Sequence, residues 1–397
     1  LPRRGTSAIA TTCTLRDDPG WHAVGLLREG RGTSTSRKAI GISVDRNGGA
    51  RAAALTIPAA DAPGQPGSID IPGLLRALKP FRFADDRRGL IELAVTALPL
   101  AALWLATMLL VRAGLWAGLL LAIPAGAFLL RLFIIQHDCG HGSFFRQRRA
   151  NTWVGRVIGV LTLTPYEFWR RSHAQHHART GNLDGRGLGD VDTLTLAEYR
   201  ALSPAARWRY RVYRHPLILF GVGPAVQFLL RHRIPIGITT GGLRPWMSVA
   251  TTNLAIVAMA VGCAWLFGFG HFLMVHVPIT LIAATLGVWL FYIQHQFEHT
   301  VWEEGSEWSF PEAALYGSSH YELPPVLRWF SANIGVHHVH HLCSTIPSYR
   351  MQSVLRAFPE LRTVSRLGFR QSLGATRLAL WDEQSRRLIS FKEARSL

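Results

Sequence analysis

Four apolar runs, each close to the thickness of a bilayer core, constrain this 397-residue chain more than any other feature. Crossing about 30 Å of hydrocarbon takes roughly 20 helical residues. Runs of that kind occupy about 90–111, 114–135, 247–269 and 272–293. The first is interrupted in charge only by Glu92. The second carries Arg131, close enough to its end to snorkel to the interface. Only Arg112 and Gly114 punctuate the join between these two, and the third and fourth meet at Gly268 to His271, so two tight helical hairpins are expected. A shorter apolar stretch, 216–230, is broken by Gly221, Gly223 and Pro224; at about half a bilayer it reads as interfacial or re-entrant.

Residues 1–68 are rich in Gly, Arg, Ser, Thr and Ala without a sustained apolar period, and read as a disordered extension ahead of a membrane domain over 69–397. The formal charge of +18 comes almost wholly from arginine. No zinc-finger, helix-turn-helix or RNA-binding signature accompanies it, and many arginines flank the apolar runs, which argues for lipid headgroups and against a nucleic-acid partner. Arg76, Lys79, Arg82, Arg87 and Arg88 precede the first run, and Arg146, Arg148 and Arg149 follow the second, whereas the hairpin tips hold just Arg112. By the positive-inside rule both termini and the long central loop face the cytoplasm, in a multi-pass protein of the cell inner membrane. Cys13, Cys139, Cys263 and Cys343 show no paired spacing and are expected to be free thiols.

Eleven of the 17 histidines fall in four short clusters on that same side. They are His137-Asp-Cys-Gly-His141, His173-Ala-Gln-His176-His177, His295-Gln-Phe-Glu-His299 and His337-His338-Val-His340-His341. On a helix, residues three and four apart share a face, so His137 with His141, His173 with His176 and His177, and His337 with His340 and His341 each present imidazoles in one direction. His338 should point elsewhere. Eight such rings, with His299 or His295 as a ninth, exceed what one ion can hold and suit two. Structural zinc sites favour four ligands with cysteines, and the His-Glu-x-x-His pattern is absent; an all-imidazole open site suits iron better. Haem would need histidine pairs facing one another between spans. His22, His215, His232 and His320 are expected at surfaces or interfaces, and His271 and His276 at the far end of the fourth span.

These residues resemble the membrane fatty acid desaturase family, whose three histidine boxes read His-x3-His, His-x2-His-His and His-x2-His-His. All three occur here in order. The strings HDCGHGSFF (137–145), GDVDTLTLAEY (189–199) and QHQFEHTVW (294–302) are similar to the delta-12, or omega-6, branch. The resemblance covers about Leu74 to Arg356. It implies an all-α membrane protein, four transmembrane helices in two hairpins with a cytoplasmic helical cap holding a histidine-rich di-iron site. It implies as metal ligands His137, His141, His173, His176, His177, His337, His340 and His341, with His299 as a further ligand and His295 as its water-linked partner. It also implies two ferrous ions, dioxygen as co-substrate, and an external electron donor such as ferredoxin or a cytochrome b5-type protein.

An acyl methylene has no acidic proton and no polarised bond, so side-chain acid-base chemistry cannot break it and a metal must supply the oxidising power. Neither a nucleophile elbow nor a dinucleotide fingerprint is present, so reducing equivalents must come from a separate protein. The expected activity is the introduction of a cis double bond into the acyl chain of a membrane lipid or acyl thioester. Candidate liners of the apolar substrate tunnel are Tyr166, Phe168, Trp169, Trp329 and Phe330. Asp190 is the preferred carboxylate behind a ligand ring, with Asp138, Asp184, Glu298 and Glu322 as further candidates. A related di-iron hydroxylase or ketolase would use the same ligands. A non-enzymatic metal carrier would want carboxylates or histidines midway through several spans, and the third and fourth offer no acidic residue.

Overall fold

The computed structural model describes residues 69–187, 189–235 and 242–397. The expected disorder of 1–68, together with Cys13 and His22, lies outside the described residues. Among the described residues, four helices are long and apolar enough to cross a membrane: Asp86–Arg112 (span one), Trp116–His141 (span two), Leu243–Phe267 (span three) and Phe269–His295 (span four). The Asp85 carboxylate accepts from the Arg88 N–H and caps span one. Gly142, at φ +68°, ends span two in the left-handed conformation. Spans two and four do not stop where their apolar runs stop. They continue helical to His141 and to His295, which carries His137, His141 and His295 on the same rods that cross the membrane.

Spans two and four pack on each other through Ala125, Leu129, Leu132, Ile279, Ala283 and Ile293 at the centre of the stem. Span three stands at the outside, with Leu254 72% and Trp265 83% exposed. Apolar surface of that extent on a helix of this length faces lipid.

Arg131 does not snorkel. It is 4% exposed, and its guanidinium pairs with Glu92 of span one and donates to the Thr96 hydroxyl (3.1 Å) and to the Trp329 carbonyl. The buried Arg131 therefore has a carboxylate partner, since a lone ion in an apolar stem would be costly. Glu92 also takes Arg88, one turn earlier, on its other oxygen (2.6 Å).

The stretch 216–230 is helical but wound as π-type turns, Ile218–Val222 and Val226–Leu230, around one α-turn at Gly223–Ala225. It is not among the spanning helices. Phe220 packs on Trp289 and Tyr292 of span four with ring centroids 5.1 and 5.2 Å apart, and Phe228 meets Phe133 of span two at 6.1 Å.

At the histidine-bearing end of the stem, short helices build a cap. Its principal core joins Leu78 and Phe81 to Leu315, Val339, Leu342, Val354 and Phe358. Among the described residues, five short strands complete it: β1 (Leu194–Thr195), β2 (His320–Glu322), β3 (Arg366–Gly368), β4 (Leu378–Asp382) and β5 (Arg387–Ser390). They form a three-stranded sheet in the order β1-β4-β5 and a parallel β2-β3 ribbon in which His320 pairs with Arg366. The helical expectation did not include them, because two to five residues are too few to show an alternating pattern. Arg214, 3% exposed, ties the sheet to span four by donating to the Leu378 carbonyl (2.7 Å) and to the Tyr292 hydroxyl (3.2 Å).

Candidate metal centre

Each histidine cluster reaches the site on a helix. His137 and His141 lie on the last turns of span two. His173, His176 and His177 lie on helix Tyr166–Arg179, and His337, His340 and His341 on the short helix His337–Leu342. His295 is the last residue of span four. Gly335, just before the third box, is held to glycine by space: a Cβ there would stand 2.6 Å from the Tyr321 carbonyl oxygen.

These helices bring nine imidazoles into two adjoining groups. His137, His141, His173, His177 and His340 form one, and His176, His295, His337 and His341 the other; within each, the ligand atoms all lie within 4.8 Å of one another. The groups share a wall, since the His177 and His341 rings stack with centroids 4.1 Å apart.

In the first group, Nε2 atoms follow one another from His141 to His173 (3.1 Å), His177 (3.0 Å) and His340 (3.1 Å). In the second, they run from His176 to His295 (3.2 Å), His337 (3.1 Å) and His341 (3.1 Å). A neutral ring nitrogen has either one hydrogen or one lone pair. The inner rings of each series would have to serve two neighbours with it, so linear hydrogen bonds cannot satisfy these contacts. A shared cation can. Two imidazole nitrogens each about 2.1 Å from one ion stand roughly 3.0–3.4 Å apart at ordinary coordination angles. His137 adds a direct sign, for its Nε2 is buried and has no hydrogen-bond partner. The donor set fits a pair of transition-metal ions.

The electrostatics agree. Burial first, then repulsion among neighbouring rings, holds His173, His177, His337, His340 and His341 well below the ordinary imidazole pKa. Each is therefore neutral at neutral pH, with a lone pair to give.

Ligating rings usually donate their other N–H to a fixed acceptor, which sets the tautomer. The Nδ1 of His176 donates to Asp190, and that of His295 to the Gly317 carbonyl at 3.3 Å. The Nδ1 of His137 lies 3.1 Å from Asp138, whose other oxygen accepts from the Ser348 N–H at 2.7 Å. The remaining acidic candidates are engaged elsewhere: Asp184 with the Gly305 N–H, Glu298 with Arg387 and Glu322 with Arg366.

Two expectations for span four change places. His299 is exposed and stands outside both groups, whereas His295 is 6% exposed and inside one. Helix geometry would put both on one face, but span four ends at His295 and the chain turns at Gln296, so the spacing of four no longer aligns them. His338, as its one-residue offset requires, points away and meets the Leu361 carbonyl at 2.8 Å. His320 and His232 are buried, not at the surface. The Nδ1 of His320 bonds to the Arg362 carbonyl, and the Nε2 of His232 lies 2.9 Å from Gln227. His215 is exposed, and His271 and His276 lie in the first turns of span four outside both groups. Cys139, Cys263 and Cys343 are free thiols.

Among the five aromatic residues expected to line a tunnel, Trp169 touches the centre: its ring stacks on His173 with centroids 4.6 Å apart and lies 5.8 Å from His137. Gly140, within the first box, makes room for that indole. Tyr166 is buried with its hydroxyl donating to the Cys139 carbonyl at 2.7 Å, and Phe168 packs on Val249. Trp329 and Phe330 sit farther down the stem, edge-on to Phe128 at 5.8 and 5.1 Å. Phe291, which the sequence reading passed over, contacts His176 (5.1 Å) and His295 (5.4 Å). Its position one turn before His295 on span four is the signal that would have found it.

Comparison with known proteins gives the family. The family model described as fatty acid desaturase matches residues 113–371. A fatty acid desaturase of Bacillus subtilis is 41% identical over 321 residues, covering 80% of this chain and 90% of that protein. An sn-1 acyl-lipid omega-3 desaturase (ferredoxin) of Synechocystis is 29% identical over 247 residues, 58% of this chain and 64% of the relative. An sn-1 oleoyl-lipid 12-desaturase of Anabaena variabilis is 24% identical over 255 residues, 59% and 67% of the two chains.

Proposed function

The chain belongs to the fatty acid desaturase family, and from that premise we propose that it introduces a cis double bond of the delta-12 type into a fatty acyl chain, using dioxygen, two iron ions and an external electron donor. It is an oxidoreductase of a membrane. The observation that carries the finer reading is the pair of adjoining imidazole groups, five and four rings.

His137, His141, His173, His177 and His340 would hold one iron, and His176, His295, His337 and His341 the other. Bound there, the two irons would supply dioxygen activation and the oxidising power to take one hydrogen from each of two neighbouring methylenes. Overall, the acyl chain loses two hydrogens, the donor gives two electrons, two protons are taken up and dioxygen leaves as two waters. The protein's own part is positional. Asp190 and the Gly317 carbonyl fix the tautomers of His176 and His295. Trp169 on one group and Phe291 on the other give the centre apolar walls against which a methylene can lie without water. Relatives act on acyl lipids, and one takes electrons from ferredoxin; an acyl lipid and a ferredoxin or cytochrome b5-type donor are proposed here too. The arginines that flank spans one and two support an inner-membrane protein with its cap in the cytoplasm.

The test is expression in a host without polyunsaturated lipids, followed by gas chromatography and mass spectrometry of its fatty acids. A new dienoic acid two mass units below its precursor is expected. A product heavier by one oxygen, or an unchanged profile with iron-loaded protein, would sink the reading.

A further inference from the structure

Behind the third histidine box, outside the metal centre, lies a cavity of about 120 Å3 with a polar wall. Two arginines from separate segments line it: Arg328, on helix Pro325–Phe330, and Arg362, at the end of the turn Pro359–Arg362. Asn333, Gln352 and His320 share the wall.

The charge there is unbalanced. Glu322 is the acidic residue of the lining, and Arg366 already takes it, with two nitrogens on one carboxylate oxygen at 2.9 and 2.5 Å. Arg362 uses Nε on the Leu355 carbonyl (3.2 Å), which leaves its terminal nitrogens for another partner. Among the described residues the Arg328 guanidinium makes no ion pair or side-chain hydrogen bond. Like charges converging on one hollow repel unless an anion stands between them, and paired guanidinium groups match the oxygens of a phosphate.

The surroundings identify the source of that phosphate. Trp329 and Phe330, next to Arg328, pack against Phe128 within span two. Val326 (65% exposed) and Leu327 on the same helix, and Phe369 and Leu373 on the helix that follows β3, present bare apolar side chains. The arginines thus stand where apolar surface gives way to polar surface, the level at which lipid phosphates lie.

We propose that the Arg328–Arg362 cavity binds the phosphate of a glycerophospholipid drawn from the adjoining leaflet. The site is separate from the metal centre, and binding is read without turnover, so it stands or falls independently of the desaturase reading.

The full-length protein in neutral detergent is titrated with dihexanoyl-phosphatidylglycerol, with inorganic phosphate and with dihexanoylglycerol, following tryptophan fluorescence. The expected result is saturable binding of phosphatidylglycerol that weakens tenfold or more in Arg328→Gln/Arg362→Gln and less in Arg328→Lys/Arg362→Lys. Undiminished binding by the glutamine variant overturns the site. Equal binding of dihexanoylglycerol overturns phosphate recognition, and equal binding of inorganic phosphate overturns the lipid as its source. Should the double glutamine variant not purify as a monodisperse protein, Arg328→Gln alone decides, with at least a threefold loss supporting the proposal and no loss overturning it.

Discussion

The Nε2 atoms of His177 and His340 lie 3.1 Å apart although 163 residues separate them in the chain. Between them the polypeptide completes the central loop and crosses the stem twice. A contact of this kind, repeated from His176 to His295 and from His295 to His337, means that no single segment owns the centre. It also means that removing one ring leaves the others in place, which makes the ligand assignment open to test one histidine at a time.

The contrast between His295 and His299 is the sharpest such test. His295→Ala should lower bound iron at least roughly tenfold, as loss of even an outlying partner does, and abolish desaturation, while His299→Ala keeps both. Iron measured by mass spectrometry on the two purified variants decides; the reverse order would restore His299 to the site.

Asp190→Ala removes the acceptor for the Nδ1–H of His176 and frees that ring to turn. Iron affinity should fall roughly 10–100-fold, and Asp190→Asn, which keeps an acceptor oxygen without the charge, should fall less. Competition with a calibrated chelator measures both. Equal affinity in all three proteins would show that Asp190 does not orient its neighbour.

Arg131 and Glu92 make a separate prediction about the stem. Glu92→Leu strands the buried Arg131 and should cost roughly 3–5 kcal/mol. Arg131→Leu should cost less, because Glu92 keeps Arg88 as a partner, and the double change should be milder than Glu92→Leu alone. Thermal unfolding in detergent gives the cycle. Additive losses would mean the two charges act independently.

Gly335→Ala forces a Cβ to 2.6 Å from the Tyr321 carbonyl, an approach that backbone must yield to. The shift would displace His337 two residues later, so the variant should insert normally yet hold less iron. Wild-type iron content in a folded Gly335→Ala protein would contradict this.

Much of the centre was visible before any fold was known, and the reason is periodicity. Imidazoles three and four residues apart can only share a face if the segment is helical, and in all three boxes it is. The same rule failed at His299 because helicity stops four residues earlier, and nothing in QHQFEHT marks that stop. Arg131 was misjudged for a related reason: its distance from the end of an apolar run is readable, but its partner is 39 residues away on another helix. His320 and His232 looked like surface residues because each is isolated in sequence, and their burial comes wholly from elements packed on them later. Short strands such as β1 depend on a partner nearly 190 residues on and carry no local signature.

Span two has one further consequence. Since it runs unbroken from the membrane interior through His141, the first box has no hinge of its own, and its rings inherit both their depth and their compass bearing from the rod below. One extra residue between Leu129 and His137 would swing both rings by about 100° and raise them roughly 1.5 Å, aiming them away from their partners without touching a single histidine.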